Sequence, residues 1–240
     1  MTDLVVLVPS RGRPKAAMQL GQAFASFCRA DTRLVLAVDA DDPTLPDYSD
    51  VPRCFPAIDL CIGNNSSMVS ALNYAAALQV HEGADLDPAP FAIGFMGDDH
   101  RPRTAGWDER YLTELRDLGT GIVYGNDLLQ GERIPTQVAM TADIVRALGY
   151  MAPPTLTHLA VDNWWLELGH GATCISYLPD VIVEHMHPVA GKAAWDEGYV
   201  RVNAQSMYDR DLREFARLRV TDLHGAIAKV RALREVRTDG

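Results

Sequence analysis

Lysine is nearly missing from these 240 residues, three against nineteen arginines, and the 22 basic side chains face 32 acidic ones. The resulting formal charge of −10 excludes a surface-wide grip on nucleic acid, which needs basic patches to release counterions from phosphates. An anionic ligand would instead need a local device, such as a metal ion or a helix N-terminus. Cysteine is scarce as well. Cys28, Cys54, Cys61 and Cys174 form no CxxC pair and are few for a disulfide scaffold. No apolar run reaches the ~20 residues of a membrane span, and the opening residues lack the layout of a secretory signal. A soluble, cytoplasmic protein is therefore expected. Neither GxGxxG nor the GxxxxGK[ST] phosphate loop occurs, and there is no internal repeat. What remains is ordinary: 48% hydrophobic and 22% charged residues are values of a globular protein.

The hydrophobic pattern has a clear order. Residues 4–8 are apolar, rich in β-branched side chains and end at Pro9, which suits a strand buried on both faces. Pro14 stands where a first helical turn tolerates proline, and Ala17, Leu20, Phe24 and Phe27 recur at helical spacing. Strands are expected again at 34–38, 58–62 and 91–96, each followed by a polar turn and, in the last two cases, a helix. Ser67 is placed to cap the helix carrying Met68, Leu72 and Ala75. Trp107, Tyr111 and Leu115 mark another helical stripe. Repeated strand, loop and helix predict an α/β fold with a mostly parallel sheet flanked by helices. Further on, short strands are expected at 122–124 and 181–183, a helix at 141–149 stopped by Gly149, and a mobile lid at 191–205. Residues 1–205 read as the main domain, and 206–240 as a basic, amphipathic helical extension with Leu212, Phe215, Leu223, Ile227 and Val230 on its apolar side.

In parallel sheets, ligands bind beyond the carboxyl ends of the strands. The unusual polar residues stack there: Ser10-Arg11, Asp39, Asn64-Asn65 and Asp98-Asp99-His100. Two adjacent carboxylates at a strand end repel each other and favour a proton or a cation. Mg²⁺ and Mn²⁺ take carboxylate oxygens, and Mn²⁺ also accepts imidazole. The plain alternative is a solvated, Asp-rich turn. A second strand end, Glu184-His185-Met186-His187, offers His185 and His187 to the same metal, or else a surface loop. Asp39 can accept hydrogen bonds from a base or ribose, or close an Asx turn. Ser10, Arg11 and Arg13 can meet a phosphate. Asp162 precedes two tryptophans, and a carboxylate beside apolar rings has the raised pKa that suits a general base. It can equally serve as a helix-start aspartate. The paired tryptophans, Trp164 among them, can serve the core on one side and a sugar-stacking surface on the other.

Taken in order, these residues resemble the nucleotide-sugar-dependent glycosyltransferases of the GT-A fold, most closely the family 2 type. The resemblance runs over roughly residues 4 to 190. In it Pro9-Ser10-Arg11 matches the loop after the first strand, Asp39 the base-contacting aspartate, and Asn73 a helical asparagine. Asp98-Asp99-His100 matches the Asp-x-Asp metal signature, with His100 where an aspartate is usual. Gly106-Trp107 matches a Gly-Trp step, and Asp162 the base of inverting members, although Val161 stands where glutamate is frequent. His185 or His187 matches a third metal ligand. The resemblance implies transfer of a sugar from a nucleoside-diphosphate sugar, with UDP favoured, to an acceptor hydroxyl. It implies a divalent cofactor, Mn²⁺ or Mg²⁺, donor contacts from Pro9, Ser10, Arg11, Arg13, Asp39, Asn64, Ser67, Asn73 and Asp98, and metal ligands among Asp99, His100, His185 and His187. Trp107, Asn126 and Trp164 would face the sugar or acceptor, and donor specificity would depend on the pocket shape around Asn126 and Trp164. Two other classes stay open: a sugar-phosphate nucleotidyltransferase, and a non-catalytic nucleotide-sugar-binding protein. A homodimer through the C-terminal helix is a further expectation.

Overall fold

The computed structural model describes residues 2–80 and 89–238. Its strands are β1 (Leu4–Ser10), β2 (Thr32–Asp39), β3 (Ile58–Gly63), β4 (Ala92–Phe95), β5 (His100–Pro102), β6 (Ile122–Asn126), β7 (Val138–Thr141) and β8 (Ile175–His185). They form one sheet in the order β3-β2-β1-β4-β7-β6-β8-β5. β3, β2, β1 and β4 are parallel, as are β6 and β8. β7 runs against both β4 and β6, and β5 against the end of β8.

The helices are α1 (Pro14–Phe27), α2 (Leu45–Tyr48), α3 (Asp50–Cys54), α4 (Met68–Val80), α5 (Trp107–Leu118), α6 (Ala142–Leu148), α7 (Val161–Ala172), α8 (Glu197–Val202), α9 (Gln205–Thr221) and α10 (Leu223–Thr238). They cover both faces of the sheet. In β1, Val5 and Leu7 pack with α4, α6 and α7, while Leu4, Val6 and Val8 pack with α1 and α5. With both faces covered, the strand shows an unbroken apolar run instead of alternation. Fully burying each such side chain contributes about 1.5–3 kcal/mol.

Local signals explain the helix ends. Pro14 opens α1, the Ser67 hydroxyl accepts the Ser70 N–H at 3.1 Å to cap α4, and Gly149 stops α6 with φ at 81°. Gly106 opens α5 at φ 71°, a left-handed backbone that glycine adopts freely. Behind it, Trp107 is buried against Phe24 and Tyr111. The Gly-Trp step thus turns the chain and fills the core.

The C-terminal extension is not a separate piece. It forms two helices broken at Asp222, and Phe215, Leu218, Leu223, Ala226 and Val230 join the core shared by α4, α6 and α7. Of the apolar side expected from the sequence, only Leu212 is largely exposed, so most of the proposed dimer face is already covered. Its cations serve the fold too: Arg231 and Arg234 donate to the carbonyls of Gly171, Ala172 and Thr173 at the end of α7. Cations are favoured at that helix end. Asp211, wholly buried, accepts from the Thr157 hydroxyl at 2.6 Å and from the N–H groups of His158 and Leu159 at 2.8 Å. It thereby fixes the turn that enters α7 through Ala160 at φ 61°. Replacing Asp211 by alanine strands these donors and should cost about 3 kcal/mol, lowering the melting midpoint by roughly 6–12 °C. An unchanged midpoint in a thermal melt would contradict this placement.

Among the described residues, no helix is long and apolar enough to cross a membrane.

Candidate functional site

Strand direction gathers the polar residues. Ser10 ends β1, Asp39 ends β2, Asp98 and Asp99 follow β4, Asp127 follows β6, and His185 ends β8. All lie at the carboxyl edge of strands that run the same way. This is where an open α/β sheet has room for a ligand.

At the centre, Asp99, His100 and His185 present ligand atoms within 4.8 Å of one another, a set able to hold a metal ion. His185 Nε2 lies 3.3 Å from Asp99 Oδ2, and the two imidazoles stack with centroids 4.3 Å apart. The nitrogens are not equally available. His100 Nδ1 accepts the Gly97 N–H at 3.0 Å. Burial, with His185 beside it, pushes the His100 pKa down, so this ring stays neutral. Asp99 and His185 Nε2 are the donors that face one another without a main-chain partner. Burial opposes charge on His185, yet Asp127 and Asp99 outweigh it and lift its pKa to about 9. Burial also opposes ionisation of Asp99, but His100 and His185 hold its carboxyl well below the usual range. Carboxylate and imidazole together suit Mn²⁺, and carboxylate alone Mg²⁺.

Asp98 has a different task. Its Oδ2 accepts from the Ser10 hydroxyl at 2.6 Å and its Oδ1 pairs with Arg13 at 2.7 Å. Burial raises its carboxyl, Arg13 pulls it down, and the charge of Asp99 adds to the rise. Tyr48 ties the same loop together, bonding the Ser10 hydroxyl at 2.8 Å and the Arg13 N–H at 2.9 Å. Arg101 locks the acidic turn from below, donating to the carbonyls of Asp98 and His100.

The segment expected as a lid lies on this cluster. The Tyr199 hydroxyl donates to Asp99 Oδ2 and accepts from Arg13, both at 2.7 Å. The Arg13 guanidinium also stacks on the Tyr199 ring, 4.3 Å from its centroid, and pairs with Asp196 at 3.2 Å.

On the flank, Arg11 clamps Asp39 through Oδ2 at 3.0 Å and also binds Asp41. Asp39 Oδ1 is buried and has no hydrogen-bond partner among the described residues. On the other side, Asp162 is the second residue of α7, its Oδ1 accepting the Asn163 N–H at 2.9 Å. Burial raises its carboxyl. The main-chain N–H groups and the charge of His185 pull the other way.

Several expected contacts are not brought in. Trp107 and Trp164 are both essentially unexposed, so neither ring is a stacking surface for a sugar, and both are packing residues. The amide of Asn73 donates to Ala152 O and accepts from Met151 and Ala152 N–H. It thereby pins the 151–152 segment. His187 stays outside the three-residue cluster, its Nδ1 accepting the Val189 N–H. Asn126 closes its own turn by accepting the Leu128 N–H at 2.9 Å. Pro9 is half-buried at the end of β1, and Asn64 is exposed beyond β3.

Sequence reasoning missed Asp127, Arg101, Asp196 and Tyr199. Asp127 is buried, and its proximity to Asn126 at a strand end was the available signal. Tyr199 sits in a stretch without periodicity, which hid it.

No protein-family model matches the chain, and no curated protein matches it at a significant level. Solved structures do. TarS 1-349 from S. aureus superposes with a TM-score of 0.57 at 13% identity, covering 99% of this chain and 92% of that one. A mannosyltransferase from Pyrobaculum calidifontis, solved with GDP-Man and Mn²⁺, gives 0.58 at 12%, covering 99% and 75%. Glucosyl-3-phosphoglycerate synthase from Mycobacterium tuberculosis, solved with Mn²⁺ and UDP, gives 0.55 at 10%, covering 88% and 80%. The fold is GT-A-type. In this GT-A-type frame the carboxylate–imidazole cluster occupies the carboxyl edge of the sheet.

Proposed function

We propose that the chain is a metal-dependent glycosyltransferase that moves a sugar from a UDP-linked donor to an acceptor hydroxyl with inversion. The observation that carries this is the convergence of Asp99 and His185 at the strand ends of a GT-A-type sheet, flanked by the unpartnered oxygen of Asp39. The likeness to TarS, which has been solved with UDP-GlcNAc, supports the choice of donor class.

Each residue then has a task. Asp99 and His185 would hold the cation, with His100 stacked behind. When bound, a divalent cation stabilises the charge that develops on the leaving diphosphate. Asp39 Oδ1, a buried acceptor lacking a donor, suits the imide N–H of uracil. Arg13, held on Asp98 through Nη1, can turn its Nη2 from Tyr199 to a phosphate oxygen. Asp162 takes the proton of the acceptor hydroxyl as that oxygen bonds to the anomeric carbon and the sugar–phosphate bond breaks on the opposite face. Burial raises its carboxyl above the ordinary aspartate range, which makes it a stronger base than an exposed carboxylate.

The direct test is product analysis. With Mn²⁺ present, UDP-sugars should release UDP, faster than GDP- or dTDP-sugars release their nucleotides. Pyrophosphate release from a nucleoside triphosphate and a sugar phosphate would identify a nucleotidyltransferase instead. Binding without any release would identify a non-catalytic nucleotide-sugar binder. Replacing Asp39 by alanine removes a charged hydrogen-bond acceptor and should weaken UDP binding by about 10–100-fold. Calorimetry with Mn²⁺ present checks this, and an unaltered affinity would remove Asp39 from the base pocket.

A further inference from the structure

The end of β8 is fastened between two acidic loops. The His185 N–H donates to Asp127 O and the Met186 N–H to Asp99 O, each at 2.9 Å. The His185 side chain lies between the same two residues, Nε2 at 3.3 Å from Asp99 Oδ2 and Nδ1 at 3.8 Å from Asp127 Oδ2. Stacking on His100 at 4.3 Å and 17° fixes the plane of the ring. What the stack leaves open is a flip, which would exchange the nitrogen that faces Asp99.

The two oxygens of Asp127 divide their duties. Oδ1 accepts the N–H groups of Leu129, Gln130 and Gly131, and so builds the turn after β6. That duty alone accounts for a buried aspartate. It does not account for Oδ2, which the Thr136 hydroxyl holds at 2.8 Å with its other side toward His185 Nδ1. His185 Nδ1 is itself buried and has no hydrogen-bond partner among the described residues, and the Asp127 carboxylate is the charge it faces. Metal-binding histidines usually direct their second nitrogen at a carboxylate or carbonyl, which sets the ring's orientation and strengthens the ligand. Loss of that partner typically weakens the metal by 10–100-fold.

We propose that Asp127 is a positioning residue for the metal site: it holds His185 so that Nε2, and not Nδ1, is presented beside Asp99, with Thr136 bracing the carboxylate. The proposal rests on the metal-dependent reading above. Asp127 touches neither cation nor substrate.

The experiment measures Mn²⁺ affinity with saturating UDP, by the electron paramagnetic resonance of free Mn²⁺, for wild type, Asp127→Asn and Thr136→Val. Asp127→Asn keeps an oxygen for the turn but sets an amide against His185. Its affinity should fall by about 10–100-fold, beyond what any change in the melting midpoint of the ligand-free protein follows. Thr136→Val leaves the turn intact and should lose part of the same affinity, so it decides the matter if Asp127→Asn does not fold. Wild-type affinity in the folded variants, with any loss confined to the melt, overturns the positioning role while the metal site stands. Failure of the wild type itself to hold Mn²⁺ with UDP overturns the metal reading, and this proposal falls with it.

Discussion

Asp99→Ala should abolish metal-dependent nucleotide binding and lower sugar transfer by about 10³-fold or more. Asp99 is the one carboxylate in the cluster that faces His185 Nε2, and its low pKa leaves it charged at any working pH. Asp98 cannot replace it, because Ser10 and Arg13 already occupy its oxygens. A bare imidazole pair binds a hard cation poorly, since such ions prefer oxygen ligands. Stabilising the departing diphosphate is the electrostatic part of the reaction, where removing even one preorganised donor costs about 10²–10³ in rate. Alanine at 99 removes the ion and with it most of that stabilisation. Measured turnover of a UDP-sugar with Mn²⁺ checks this. A variant with more than a tenth of wild-type turnover would sink the assignment.

Asp162→Asn should leave donor and metal binding intact and lower kcat by about 10²–10⁴-fold, the usual contribution of a general base. The residue is placed by the second turn position of α7, and that turn is held by Asp211 from α9. Asparagine keeps the acceptor for the Asn163 N–H and loses only proton affinity. Because burial raises the carboxyl, the acidic limb of the wild-type rate profile should lie above the ordinary aspartate range. A base works unprotonated, so the rate rises with pH through that pKa. Steady-state kinetics across pH, with the donor KM measured alongside, separate the roles. A rise in donor KM with kcat preserved would move Asp162 from catalysis to binding.

Much of the fold was legible because its signals are local. The apolar runs of β1 and β2, Pro14, Ser67 and Gly149 each carry their own physical instruction. The antiparallel strand β7 was not legible, since Val138–Thr141 is too short for its neighbours to be told from sequence. The split of the C-terminal extension at Asp222 was equally hidden, and so was its burial, because its basic surface dominates the composition while its apolar stripe is thin. At the site, Asp39, Asp98, Asp99, His100 and His185 could be nominated because unusual residue types stood at strand ends. Trp107 and Trp164 could not be sorted into core or surface from spacing, as helical stripes look alike from either side. Asp127 and Tyr199 join the cluster only through tertiary contact, one across to β8 and the other from beyond it.

Thermal unfolding with UDP, with and without Mn²⁺, on wild type and Asp99→Ala, tests the central claim most directly. A ligand at 100 times its dissociation constant stabilises by about 2.7 kcal/mol, a rise of roughly 5–10 °C in midpoint for a chain of this length. The expected result is such a rise for wild type only when UDP and Mn²⁺ are both present, and none for Asp99→Ala. A rise with UDP that ignores Mn²⁺ and survives in Asp99→Ala, or no rise for any of UDP, GDP and dTDP with the metal present, would contradict a metal-held nucleotide at the carboxyl edge of this sheet.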